Sequence, residues 1–127
     1  MTADLDAFAA KIRRLRNLAI DAAKEAAPDV EKLVRETAAA GTDVEGRPWP
    51  PKRDGSRALA NAAGAVTAVA RGVAVILKLS GAYVFHHRSK GKERRPILPE
   101  GGASMPPRLA AVLRAAAARA FRTAIGR

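Results

Sequence analysis

Apolar positions recur at alternating spacings of three and four residues over the first part of the chain. These positions are Leu5, Phe8, Ile12, Leu15, Ala19, Ala22 and Ala26. This spacing predicts an amphipathic helix over residues 4 to 26, because side chains three or four residues apart share one face of a helix. This apolar face either packs on its own domain or forms a seam shared with a neighbouring subunit.

Pro28 interrupts this pattern, and a helical spacing resumes over residues 29 to 40. The apolar face of this second stretch carries Val30, Leu33, Val34 and Thr37. Proline inside a helix removes a backbone hydrogen bond and clashes with the preceding turn. We therefore expect either a kink at Pro28 or a second helix with Pro28 at its first position. Gly41 is expected to end the helical region.

An alternating pattern in the middle of the chain predicts a β-hairpin. Its strands run from Val66 to Ala70 and from Val73 to Leu79, with a turn at Arg71-Gly72. Residues 82 to 87 are predicted as a third strand. Residues 58 to 65 form either a short helix or an irregular segment.

The C-terminal region carries the clearest helical spacing. Its apolar face consists of Leu109, Val112, Leu113, Ala116, Ala117, Ala120, Phe121 and Ala124. Ser104 could cap this helix, Pro106 and Pro107 suit its start, and Gly126 suits its end. The sequence thus predicts an α+β fold in one domain, residues 1–127. Long N-terminal helices and a C-terminal helix pack on a small, mostly antiparallel sheet.

Composition and charge point to a partner. Hydrophobic residues make up 48% of the chain, but much of that is alanine, which adds helix propensity and little transfer free energy. We expect a modest core that a partner surface would help to stabilise. The net charge is +11, and residues 66–127 carry twelve Lys/Arg and two Asp/Glu. This asymmetry indicates a polyanion or an acidic protein nearby, or else a solubilising surface.

The sequence lacks the usual signatures of catalysis and cofactor binding. Without cysteine there is no disulfide, thiolate metal site or Cys nucleophile. His86 and His87 are the only histidines, and no cluster of other ligand types accompanies them. Neither GxxxxGK[ST] nor GxGxxG occurs. We therefore expect no enzyme, no metal and no cofactor. The N-terminus lacks an apolar signal core, and no apolar run could span a bilayer, so we expect no membrane association.

Two segments carry the candidate site residues. The first, residues 41–51, holds the only tryptophan among prolines and glycines. We predict four loop anchors that pin these segments to the core: Trp49, Pro50, Pro96 and Pro99. The second segment, residues 86–99, contains a basic loop. Its cations are predicted to contact a partner or DNA in a channel: Arg88, Lys90, Lys92, Arg94 and Arg95. No aromatic residue is interleaved with them, which disfavours base stacking and favours contact with the DNA backbone without sequence preference.

The order of these segments resembles the virion-morphogenesis, or tail-completion, proteins of tailed bacteriophages. The residues that carry the resemblance are Gly46, Trp49 and Pro50/Pro51 after the N-terminal helices, Tyr83 to His87 with Gly91, and Arg95 to Pro99 before the last helix. This chain departs from the family pattern at His87, where the family often has Gln. It departs again at residues 62–65, where the family often shows Thr-Gly-x-Leu.

The resemblance implies a structural role at the neck or the head-proximal end of the tail of a virion, assembled in the host cytoplasm, without catalysis. It implies a homo-oligomeric ring around the DNA channel. The implied partners are connector or head-closure proteins and tail-tube or tail-terminator proteins, with nonspecific contact to passing DNA. The charge alone supports a rival expectation, a nonspecific basic nucleic-acid-binding protein.

Overall fold

The computed structural model of the chain describes residues 2–52, 55, 58–81, 83–88, 95–99 and 105–125. Its elements are α1 (Thr2–Ala40), a 3-10 helix (Ala62–Ala65), β1 (Val66–Arg71), β2 (Ala74–Leu79), α2 (Tyr83–Arg88) and α3 (Pro107–Ile125). The fold is α+β, as predicted, with a long N-terminal helix, a C-terminal helix and a two-stranded antiparallel sheet. Helix α1 packs against both α3 and the hairpin.

Helix α1 runs without a break for 39 residues, with Pro28 inside it. The alternative of a second helix starting at Pro28 is therefore wrong. Pro28 and Lys24 both lie on the exposed face, so the Lys24 carbonyl that Pro28 cannot bond can turn towards water. Ala27 and Val30, on either side of the proline, are buried, and their packing keeps the flanking turns helical.

Gly41 ends α1, as the sequence predicts. Its φ of 79° is left-handed, a conformation that glycine adopts at little cost. The Gly41 N–H donates to the Ala38 carbonyl at 3.1 Å, and the Thr42 N–H donates to the Thr37 carbonyl at 3.0 Å. This pair of bonds is the Schellman arrangement, which satisfies the last carbonyls of the helix. The chain therefore leaves α1 in a fixed direction.

The predicted hairpin forms, with Val66 paired to Leu79 and Arg71 paired to Ala74. Its turn consists of Gly72 and Val73, one residue later than the sequence indicated. Gly72 has a φ of 60°, as a two-residue hairpin turn with glycine first requires. Helix α1 closes the free edge of β1, because Glu31 accepts the Ala68 N–H at 2.9 Å.

The prediction of a third strand over residues 82 to 87 is wrong, since residues 83–88 form helix α2. The residues Tyr, Val and Phe favour strands, but tertiary context overrides such preferences. Gly81, with a φ of 65°, turns the chain after β2. The short helix then leaves Tyr83, Val84 and His87 half-buried.

Helix α3 begins at Pro107, and the Pro106 carbonyl accepts the Ala110 N–H at 3.0 Å. Pro106 thus occupies the capping position, while Ser104 and Gly126 lie outside the described residues. The segment before the hairpin, which the sequence left open, contains turns followed by the 3-10 helix.

The core gathers around the C-terminal half of α1. Its main buried members are Val30, Leu33, Val34, Ala38, Val44, Trp49, Val66, Ile97, Leu109 and Ala116. By contrast, residues 4–22 contain no buried residue. The first half of α1 therefore projects from the packed body of the protein.

Candidate interaction surfaces

Residues 41–51, which we call the tryptophan loop, are held by hydrogen bonds at their turn. Asp43 is 6% exposed, and its Oδ1 accepts the N–H groups of Glu45 and Arg47, each at 2.9 Å. Its Oδ2 accepts the Arg47 Nε–H at 3.0 Å. An Asp side chain that binds the backbone ahead of it is a common way to fix a turn. The turn lets Thr42 bridge to Pro48 and directs Trp49 inward.

Trp49 joins this loop to the segment before α3. It is 8% exposed, and its indole Nε1–H donates to the Pro96 carbonyl at 2.8 Å. Its backbone N–H donates to the Gly41 carbonyl at 2.9 Å. Pro50, Pro96 and Pro99 are half-buried. A buried indole whose N–H is satisfied fixes the two chain segments to each other.

Arg95 strengthens the same junction. Its Nε–H donates to the Pro50 carbonyl at 2.9 Å, and its Nη2 donates to the Pro51 carbonyl at 3.1 Å. Arg95, the last cation of the predicted basic loop, thus binds the tryptophan loop. Arg88 is the last residue of α2, whereas Lys90, Lys92 and Arg94 lie outside the described residues. The role of these five cations as partner contacts stays a prediction.

His87 fixes the other side of the junction. Its Nδ1 accepts the N–H of Ile97 at 3.1 Å and the N–H of Leu98 at 3.4 Å. Ile97 is fully buried, so its N–H has no access to water and needs an acceptor. The imidazole must therefore keep Nδ1 unprotonated, with its proton on Nε2.

The projecting half of α1 carries a row of uncovered apolar side chains, Leu5, Phe8, Ile12 and Leu15, which we call the stripe. Their exposed fractions are 68%, 62%, 50% and 67%. The interpretation that this part of the helix packs on its own domain is wrong. Its large side chains lie beyond the reach of the core, and contiguous exposed apolar surface of this kind marks contact sites.

The stripe leads into an open apolar groove of about 810 Å³. The floor of the groove is the face of α1 from Leu15 to Ala26, which is mostly alanine. One wall is the hairpin, with Val73 and Val75, and the other is α3, with Ala117 and Phe121. The groove arises because small side chains on α1 let the two flanking elements stand above it.

The charges of α3 are all positive, since its ionisable residues are Arg108, Arg114, Arg119 and Arg122. Arg119 is held in place: its Nε–H donates to Glu25 at 3.3 Å, and its Nη2 donates to Asp29. The hydrogen bond that Arg119 donates to Asp29, and after it the one that it donates to Glu25, raises the pKa of Arg119 above its ordinary value. The other three arginines are exposed and give this end of the protein its positive surface.

The described residues contain no group of three or more His, Cys, Asp or Glu residues that could hold a metal ion. Among the described helices, none is long and apolar enough to cross a membrane. Three comparisons, with protein-family models, with curated proteins and with solved structures, find no match to this chain.

The sequence predicts the tryptophan loop and the basic loop, whereas the groove is visible only in the structure. The groove is made by three separated segments, and periodicity reports only one element at a time. The stripe was visible in the sequence as an apolar face. Its exposure was not, because exposure depends on how far α3 and the hairpin reach along α1.

Proposed function

We propose that this protein is a structural component of the head–tail connection of a tailed phage, acting as a homo-oligomeric ring around the DNA channel. In this role it joins tail to head through protein–protein contacts. The observation that supports a contact role most is the projecting half of α1, with its stripe of uncovered large side chains. The resemblance in the sequence supports the assignment of these contacts to the phage neck.

The anchored loops fit such a role. Trp49, Arg95 and His87 tie the tryptophan loop, α2 and the segment before α3 into one unit. This unit includes the described residues at either end of the predicted basic loop, Arg88 and Arg95. Assembly surfaces gain specificity and association rate from complementary charge, and the basic loop could dock an acidic neighbour in this manner.

The rival function is nonspecific nucleic-acid binding, which the all-arginine charge of α3 favours. Binding to phosphates releases counterions, so its affinity falls steeply as salt increases. Assembly through apolar surfaces persists at high salt. Sedimentation with and without duplex DNA, over a range of salt concentrations, separates the two functions. Salt-resistant assembly into species larger than a dimer, without DNA, supports the neck role, whereas a monomer that binds DNA only at low salt contradicts it.

The basic loop can be tested separately in the phage. Replacing Arg88, Lys90, Lys92, Arg94 and Arg95 with Ser or Gln removes its charge. Loss of head–tail joining by a normally folded protein indicates docking, and normal joining with impaired DNA passage indicates a loop that lines the channel. Normal joining and normal delivery would remove the loop from the proposed function. Arg95→Lys serves as the folding control, because Lys keeps the charge but cannot form both carbonyl bonds with the same geometry.

A further inference from the structure

We propose that a second copy of this chain covers the apolar face of α1, with the two α1 helices antiparallel about a two-fold axis level with residues 16–18. The stripe of each copy lies in the groove of the other. This pairing goes beyond the proposed neck role: it occupies the stripe and the groove, so a ring built from such pairs would close through another surface.

The stripe and the groove match in size. They form one continuous face of α1, because Leu15 ends the stripe and also lines the groove. The stripe has large side chains, and the groove floor has alanines at the same spacing. Antiparallel pairing places Phe8 opposite Ala26, Ile12 opposite Ala22, and Leu15 opposite Ala19 of the second copy. Each of these three layers then joins a large side chain to a small one, which lets the helix faces interdigitate without voids.

The stripe and the groove also match in length and shape. At 1.5 Å per residue, the stripe spans about 15 Å and the floor from Leu15 to Ala26 about 17 Å. The walls leave Val73 and Phe121 more than half exposed, so an incoming helix would cover them as well. A flat bilayer cannot reach the floor of a concave groove, although the basic residues beside the stripe are typical of helices that bind anionic lipid.

Antiparallel orientation follows from where the rest of the chain lies. In each copy, the hairpin and α3 stand beside the groove on the same face of α1. A parallel pair would bring both hairpins and both α3 helices to the same end, where they would collide. An antiparallel pair places the two packed bodies at opposite ends.

The exposed area favours a reciprocal contact. The four stripe side chains together expose about 450 Å², at about 180 Å² for a large apolar side chain. One stripe in one groove buries about 900 Å² when both partners are counted, which is the size of a weak contact. Two reciprocal contacts bury up to about 1,800 Å², within the standard size of a specific interface.

A side-chain swap tests the register. Leu15 and Ala19 are both exposed in the single chain, and both residue types favour helices, so the variants should fold normally. Leu15→Ala and Ala19→Leu should each weaken self-association about tenfold or more. The Leu15→Ala/Ala19→Leu double variant restores one large and one small side chain per layer and should recover to within about threefold. Losses that simply add in the double variant would contradict the register.

Cysteine cross-linking tests the symmetry, since the chain has no cysteine of its own. Arg16 flanks the two-fold axis, whereas Asn17 points away from the paired face. Arg16→Cys should therefore cross-link two copies under mild oxidation, and Asn17→Cys is the matched control that should not. Equal cross-linking of both variants, or none at position 16 in an associated sample, would overturn the two-fold arrangement.

Sedimentation equilibrium of the free protein completes the test. We expect association in the micromolar range, and a monomer at about 100 µM would overturn the proposal. Vesicles of phosphatidylcholine and phosphatidylserine probe the bilayer as the other occupant. Vesicle binding by a wild-type protein that stays monomeric at about 100 µM decides against the pairing and for a lipid surface.

Discussion

Truncation of Trp49 tests whether the junction between the tryptophan loop and the segment before α3 stabilises the fold. The indole is 8% exposed, so it buries about 200 Å². At about 25 cal/mol per Å², this burial corresponds to about 5 kcal/mol. Its hydrogen bond to the Pro96 carbonyl adds about 1 kcal/mol. Partial collapse of the cavity and the methyl group of alanine reduce the net loss, so Trp49→Ala should lower the free energy of unfolding by about 4 kcal/mol.

The assay is urea unfolding followed by circular dichroism, since the variant removes the only tryptophan of the chain. Trp49→Phe keeps most of the apolar area and loses the hydrogen bond, so its loss should be about 1.5 kcal/mol. Met105→Ala, at a residue that is 54% exposed, is the control and should change little. All proteins are compared at one concentration, because self-association adds to apparent stability. An unchanged unfolding midpoint for Trp49→Ala would refute the anchor role.

Two further predictions concern polar contacts of the same body. His87→Ala should lower the free energy of unfolding in urea by about 1–3 kcal/mol, because it leaves the buried Ile97 N–H without an acceptor. His87→Gln has an amide oxygen that can accept and should recover part of this loss, so equal losses for the two variants would contradict the acceptor role. Arg119→Ala should lower the unfolding midpoint slightly, and added salt should reduce the difference from the wild type, because the ion pairs of Arg119 with Glu25 and Asp29 lie near water. A loss that does not depend on salt would indicate that Arg119 stabilises the fold by packing instead.

The sequence predicted those elements whose own residues determine them. The spacing of α3 and the alternation of the hairpin are local patterns, and both elements form. The turn moved by one residue because glycine is needed at its first position, where Gly72 has a positive φ.

The errors arose where distant contacts decide the structure. Residues 83–88 have strand-forming side chains, but the structure has only two strands in its sheet over the described residues. The helix instead brings His87 to the backbone of Ile97 and Leu98. At Pro28, the alternative of a second helix was wrong, because α1 continues through the proline with buried neighbours on both sides.

The candidate site was only half visible in the sequence. Trp49 and Pro96 were each predicted as loop anchors, yet nothing in the sequence spacing indicates that they contact each other. Likewise, the alanines at positions 19, 22 and 26 read as ordinary helix formers. They become the floor of a groove only because α3 and the hairpin flank them.

The proposed neck role requires this protein to close into a homo-oligomer that joins other proteins. Electron microscopy of the purified protein, alone and mixed with the connector and tail proteins of the same phage, tests it most directly. We expect closed rings with a central channel, formed without DNA. Monomers or two-fold dimers in both samples, with no ring in either, would contradict the proposed role.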